Sequence, residues 1–171
     1  MMKRVRISFA FLLIAIGVFY LAIEFFPGLR ELAYGKETWP VQIIALGLIF
    51  ALTSILTWMP SFFIPASILA GLGGLLYWQN STGNWASWSY AWTLIPGFSG
   101  FGLLLFGLLA RKRSAYISGM WNLFSSVILF GIFASVFGKL EFAAKLWPVG
   151  LILLGFIVIV SGIRRKKKAT E

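Results

Sequence analysis

The sequence predicts an all-α, polytopic membrane protein with six transmembrane helices, arranged as three tandem parallel helical hairpins. Hydrophobic residues make up 60% of the 171-residue chain and charged residues only 12%, whereas a soluble domain is about 25% charged. Six apolar stretches also occupy most of the chain, and each is close to the ~20 residues that cross a bilayer as a helix. They are Ile7–Phe26, Pro40–Trp58, Phe62–Trp78, Ala91–Ala110, Ile117–Phe137 and Leu146–Ile163.

The first stretch is predicted to be a retained helix, although basic residues precede it as they do in a signal peptide. Its length exceeds the ~7–15 residues of a signal-peptide core. No cleavage site of the Ala-x-Ala type follows, because the stretch closes with Glu24-Phe25-Phe26-Pro27. We therefore expect this helix both to target the chain to the membrane and to remain in it.

The even-numbered stretches share a beginning, in which a glycine follows a tryptophan by eight residues. The pairs are Trp39 and Gly47, Trp92 and Gly100, and Trp147 and Gly155. Proline comes directly after the tryptophan at Pro40 and Pro148, and four residues after it at Pro96. Tryptophan anchors a helix at the interface, proline starts a helix, and glycine two turns deeper allows close helix packing. This pattern predicts internal repeats at about 7–58, 62–110 and 117–163 within one membrane domain covering 1–171.

The basic residues predict the orientation of the chain. Eleven of the 15 Lys and Arg residues lie before the first stretch, between the fourth and fifth, or after the sixth. Because short loops rich in Lys and Arg stay in the cytoplasm, both termini are predicted to be cytoplasmic, in the cell membrane. The connectors 27–39, 79–90 and 138–145 would then face outward. This topology explains the net charge of +10 better than a nucleic-acid partner does, and the basic clusters should contact anionic lipid.

Three polar residues inside the predicted spans are candidates for a functional role. Glu24 is the one acidic residue within a span, and it is either a proton or cation site or an interfacial residue that pairs with Arg30, the reading that we favour. Gln42 and Asn122 are expected to form hydrogen bonds between helices. The small residues Ala66, Ala70 and Gly74 form a stripe that predicts close internal packing, with a homodimer face as the alternative.

The composition argues against catalysis. The chain has no Cys and no His, so thiol nucleophiles, disulfides and the usual thiolate or imidazole metal ligands are excluded. Its five acidic residues are scattered. We therefore predict no enzyme activity, no cofactor and no metal site.

The first hairpin resembles the LiaI/LiaF-like transmembrane region of bacterial proteins. The residues that carry this resemblance are Leu13 to Val18 and then Trp39-Pro40 through Gly47, with Trp147-Pro148 through Gly155 matching as well. The middle copy departs from the pattern, because Trp92 and Pro96 are separated. Members of this family are linked to cell-envelope stress responses, in which small membrane proteins act on sensor kinases or other membrane proteins.

The leading functional hypothesis is a non-enzymatic protein of the bacterial membrane that acts through helix contacts with a partner membrane protein or with the envelope. The resemblance implies a role in the envelope stress response, and the chain could also associate with itself as a homo-oligomer. One alternative is a small transporter or channel, which six spans and a repeat permit. Another is an acid-resistance protein of the HdeD-like kind, which is also built from six spans with a repeat.

Overall fold

The computed structural model describes residues 2–36, 38–137 and 152, and every regular element within these ranges is helical. The all-α class predicted from the sequence is therefore confirmed for this part of the chain. Short 3-10 turns precede three of the helices, at Pro60–Phe62, Trp85–Ser87 and Trp92–Leu94. The α-helices are α1 (Met2–Phe25), α2 (Pro27–Tyr34), α3 (Val41–Leu56), α4 (Phe63–Thr82), α5 (Trp88–Ala91), α6 (Ile95–Leu109) and α7 (Arg113–Phe137).

Four helical segments of the described chain are long and apolar enough to cross a membrane. They are Val5–Phe25, Pro60–Thr82, Trp85–Leu109 and Arg113–Phe137, and they correspond to the first, third, fourth and fifth predicted spans. The second predicted span corresponds to α3, whose 16 residues make a helix of about 24 Å, shorter than a ~30 Å hydrocarbon core. The sixth predicted span, Leu146–Ile163, lies outside the described residues apart from position 152, so the count of six spans stays a prediction.

Proline and glycine set the ends of two long helices. Phe26 is extended, with φ −111° and ψ 106°, because a residue before proline avoids the helical region. It ends α1, and Pro27 then occupies the first turn of α2. Gly83 ends α4 with φ +66°, the left-handed conformation that glycine adopts most easily. The connectors 27–39 and 79–90, expected to be loops, are thus largely helical, since α2 lies in the first and α4 runs four residues beyond Trp78.

The long helices pack in the order in which they occur in the chain. α3 packs on α4, α4 on α6, and α6 on α7, whereas α1 packs loosely against α3 and α2. Two of these closest interfaces, α3 with α4 and α6 with α7, join helices that belong to different predicted hairpins. The arrangement in three separate hairpins is therefore not confirmed by the packing.

Small side chains fill the helix contacts, and large apolar side chains face outward. Buried residues of the described chain include Thr53, Ala66, Ala91, Ser126 and Ala134, whereas Leu13, Leu52 and Val127 are all more than half exposed. A soluble protein buries its large apolar residues instead. Membrane helices approach through small residues and present large apolar side chains to lipid, so this distribution is compatible with a membrane protein.

Candidate functional site

The predicted repeat glycines Gly47 and Gly100 both lie against the backbone of the next long helix. A Cβ atom added to Gly47 would stand 2.7 Å from the nitrogen of Ala70 and 2.9 Å from the oxygen of Ala66, on α4. A Cβ atom added to Gly100 would stand 2.8 Å from the oxygen of Gly119 and 2.8 Å from the nitrogen of Leu123, on α7. Side-chain carbons essentially never approach the backbone of another helix this closely, so each interface depends on the missing side chain.

The Gly47 contact and the Gly100 contact involve equivalent residues, each displaced by the same number of positions along the sequence. Trp92 and Gly100 follow Trp39 and Gly47 by 53 residues. The residues that they meet shift by the same amount, because Gly119 and Leu123 follow Ala66 and Ala70 by 53 residues. The α3–α4 and α6–α7 interfaces therefore use the same register. The sequence-derived stripe on α4 is only partly involved, since a Cβ atom on Gly74 would meet nothing within 4 Å.

The prolines that accompany these glycines both lie where a helix begins. Pro40 is the buried N-cap of α3, and Pro96 lies in the first turn of α6. The 3-10 turn Trp92–Leu94 stands between the tryptophan and α6, which accounts for the displaced proline of the second copy. The third copy, with Trp147, Pro148 and Gly155, lies outside the described residues.

The two described tryptophans of the pattern lie beside these helix starts. Trp39 is half-buried. Trp92 is 40% exposed, and its Nε1 donates a hydrogen bond of 3.2 Å to the Ser89 carbonyl. Its ring meets Phe133 of α7 edge to face, with 5.2 Å between ring centroids. The Trp92 side chain thus lies at the α6–α7 interface with a polar tip and an apolar body, as is usual at a membrane surface.

Glu24 lies at the exposed end of α1 and away from the packed helices. Its carboxylate is 66% exposed, and Oε1 stands 3.8 Å from Nη1 of Arg30, which is 62% exposed. A pair this exposed contributes little to stability. Glu24 therefore lies at a helix end within ion-pair distance of Arg30, and its position at the membrane interface stays a prediction.

The other two polar candidates lie on different helices and do not meet. Gln42 is half-buried in the first turn of α3. Asn122 lies on α7 beside the Gly100 contact, and its Nδ2 donates a long hydrogen bond of 3.4 Å to Oγ of Ser99 on α6. Glu24, Gln42 and Asn122 therefore form no common site.

Two buried polar contacts were not predicted from the sequence. Gln79 in the last turn of α4 is fully buried, and its Nε2 donates a 2.9 Å hydrogen bond to Ser87 Oγ, while its Oε1 has no protein partner. Ser126 on α7 donates a 2.7 Å hydrogen bond to the Thr93 carbonyl. Polar groups in such positions must be bonded to be buried at low cost. The sequence carries no signal for the Gln79–Ser87 hydrogen bond, because Gln79 lies in the segment directly after Trp78 that was expected to be a connector.

At the opposite end of the helices, α3 and α6 finish in turns of the same kind. Trp58 and Arg111 both have φ +52°, a left-handed conformation that costs a non-glycine residue about 1–2 kcal/mol. After each, a backbone N–H bonds to the last turn, from Met59 to the Ser54 carbonyl at 3.1 Å and from Lys112 to the Gly107 carbonyl at 2.8 Å. This is the Schellman geometry, in which glycine is usual. Trp58 and Arg111 are again 53 residues apart.

A groove of about 320 Å³ lies between these two turns, and we refer to it as the turn groove. Its lining residues are Val5, Trp58, Met59, Pro60, Ser61, Phe106, Ala110 and Lys112. The Lys112 ammonium stands 5.4 Å from the centroid of the Phe106 ring, a distance at which the ring attracts a cation. The turn groove is therefore mostly apolar, with a positive charge at its edge.

The part of the chain that the structure describes holds no group of three or more His, Cys, Asp or Glu residues that could bind a metal ion. Its arrangement offers close helix contacts, aromatic rings beside the helix starts and exposed cations. No protein-family model matches the chain, and neither a curated protein nor a solved structure matches it.

Proposed function

We propose that the chain is a multi-pass protein of the cytoplasmic membrane that acts without catalysis, through contacts of its helices with a partner membrane protein. The observation that carries this proposal is a face of α1 that no other described residue covers. Leu13 and Leu21 are 69% and 59% exposed, and a Cβ atom on Gly17, midway between them, would meet nothing within 4 Å. Residues four apart share a helix face, so these three form a notch of the small-residue kind through which membrane helices associate.

A photo-activatable residue at Leu13 should crosslink to a membrane protein, and one at Leu12 should not. Leu12 is only 5% exposed, which makes it a matched neighbour that faces the chain itself. Adding Gly17→Leu to the variant with the photo-activatable residue at Leu13 should fill the notch and lower the yield of the crosslinked product several-fold. When the affinity tag is placed on the crosslinked protein instead, the chain should copurify with that protein. Crosslinks from Leu13 to lipid alone would contradict the proposal.

The proposed orientation places the Asn84 connector outside the cell and the Arg111–Arg113 turn in the cytoplasm. Because the chain has no Cys, a single introduced cysteine is its one thiol. In intact cells, a membrane-impermeant maleimide should label Asn84→Cys fully and Arg113→Cys only after permeabilisation; both positions are exposed. Equal labelling of the two variants in intact cells would reject this orientation.

The role in envelope stress rests on the resemblance to the LiaI/LiaF-like region, and a deletion strain with unchanged sensitivity to envelope stress would argue against it. An HdeD-like role in acid resistance would show instead as loss of survival at low pH. A transporter or channel has less support, because Glu24 lies at an exposed helix end and Asn122 is engaged between α6 and α7. Proton or cation flux in liposomes that Glu24→Gln abolishes would favour that alternative.

A further inference from the structure

The end of the molecule that carries the turn groove is positively charged. The described charged side chains there are Arg6, Arg111, Lys112 and Arg113, all exposed. The described carboxylates lie at the other end of α1 and in α2: Glu24 is in the last turn of α1, where it pairs with Arg30, and Glu31 is in α2. The cations beside the groove thus have no carboxylate partner among the described residues and are available to a negatively charged ligand.

The turn groove joins this charge to an apolar surface. Val5 of α1, Trp58 to Ser61 of the α3–α4 turn, and Ala110 and Lys112 of the α6–α7 turn meet at it. Its volume lies at the lower end of the ~300–1,000 Å³ that small-molecule sites occupy. A ligand that fits must therefore be amphipathic, with an anionic group for Lys112 and an apolar part for the lining.

The conformations of Trp58 and Arg111 also indicate a binding role. Both stand where glycine would relieve backbone strain, and strain that a fold retains is found preferentially at functional sites. Trp58 is 85% exposed, so packing within the described chain does not explain the bulky side chain. A tryptophan and an arginine are, however, side chains that suit the headgroup region of a bilayer.

We propose that the turn groove is a binding site for the headgroup and glycerol region of an anionic phospholipid in the cytoplasmic leaflet. The proposal rests on the membrane location and orientation proposed above. Lys112, held over the Phe106 ring, contacts the lipid phosphate, and the exposed hydroxyl of Ser61 can donate to a phosphate oxygen. The Trp58 ring covers the glycerol and the first methylenes. A zwitterionic lipid binds less well, because its ammonium group meets the same cations.

Added phosphatidylglycerol should raise the melting midpoint of the purified chain in a neutral detergent by several degrees, and phosphatidylcholine should not. Free glycerol phosphate, which lacks acyl chains, should have no effect. Lys112→Gln should weaken the apparent phosphatidylglycerol affinity about fivefold, the effect of one basic residue near an anionic lipid surface. Lys36→Gln removes the same charge from an exposed position at the other end of the molecule and should leave the affinity unchanged.

Trp58→Gly separates binding from stability, because its two expected effects have opposite signs. Glycine suits the left-handed conformation of this residue, so the lipid-free midpoint should rise, while the phosphatidylglycerol affinity should fall. Unchanged affinity in both Lys112→Gln and Trp58→Gly would overturn the proposal, as would an equal loss in Lys36→Gln or an equal response to phosphatidylcholine. Labelling of Asn84→Cys in the same variants reports membrane insertion separately, so failure of the lipid site is distinguishable from failure of the membrane proposal.

Discussion

Gly47→Leu and Gly100→Leu should each lower the melting midpoint of the detergent-solubilised protein by several degrees. The reason is that the new side chain would meet backbone atoms of the next helix, at 2.7–2.9 Å already for its Cβ atom. Backbone cannot move aside as a flexible side chain can, so the two helices must separate. Overpacking of this kind costs about 1–3 kcal/mol or more, and each kcal/mol corresponds to roughly 2–4 °C in a chain of this length.

Gly17→Leu and Gly74→Leu are the matched controls, because a Cβ atom at either position would meet nothing within 4 Å. Leucine is a better helix former than glycine by ~1 kcal/mol, and its side chain is compatible with a lipid environment. The controls should therefore melt at or above the parent temperature, opposite in sign to the variants at the interfaces. If Gly47→Leu and Gly100→Leu melt as high as Gly17→Leu, the close helix contacts described above do not exist in the folded protein.

Gly100→Ala and Gly119→Ala should be strongly non-additive when they are combined. The two glycines face each other across the α6–α7 interface, since a Cβ atom on Gly119 would stand 2.7 Å from the Gly100 oxygen, and the reverse distance is 2.8 Å. Either alanine forces the helices apart. Once the helices are apart, the second alanine destabilises the protein little. The double variant should therefore lose about 0.5–3 kcal/mol less free energy of unfolding than the sum of the two single losses.

The control for this double-mutant comparison combines Gly47→Ala with Gly100→Ala. These residues lie at different interfaces, α3 with α4 and α6 with α7, and distant sites add within about 0.5 kcal/mol. The measurement is the free energy of unfolding of the three single variants, the two double variants and the parent in mixed micelles. Additive losses for Gly100 and Gly119 would show that the two glycines do not share one contact.

Composition was enough to predict the helical class of the described residues, and the spacing drew attention to Gly47 and Gly100, which lie against the next helix; Gly155 of the same pattern lies outside the described residues. The prediction worked where a physical constraint acts locally. The first stretch was predicted to end at Phe26, and α1 ends at Phe25, because a residue before proline avoids the helical region; the helix α2 that begins at Pro27 was not predicted. Gly47 and Gly100 could be singled out because both follow a tryptophan by the same eight residues.

Features that depend on how the chain folds back on itself could not be predicted. Gln79 is buried because the segment after Gly83 folds back over the end of α4, and nothing near Gln79 in the sequence signals this. The turns at Trp58 and Arg111 were missed for a related reason, since the residue that usually marks such a turn is glycine. There the fold imposes a left-handed conformation that the local sequence does not favour.

The order of the helices in space has a consequence for biosynthesis. α3, α4, α6 and α7 each pack on the long helix that immediately precedes or follows them in the chain, and chains emerge from the ribosome N-terminus first at about 5–20 residues per second. Each new helix therefore meets a finished docking surface as soon as it forms. A chain with such local contacts closes only short loops and folds fast. Within residues 2–137, assembly can proceed helix by helix during translation, and the packing of α3, α4, α6 and α7 requires no partner distant in the chain.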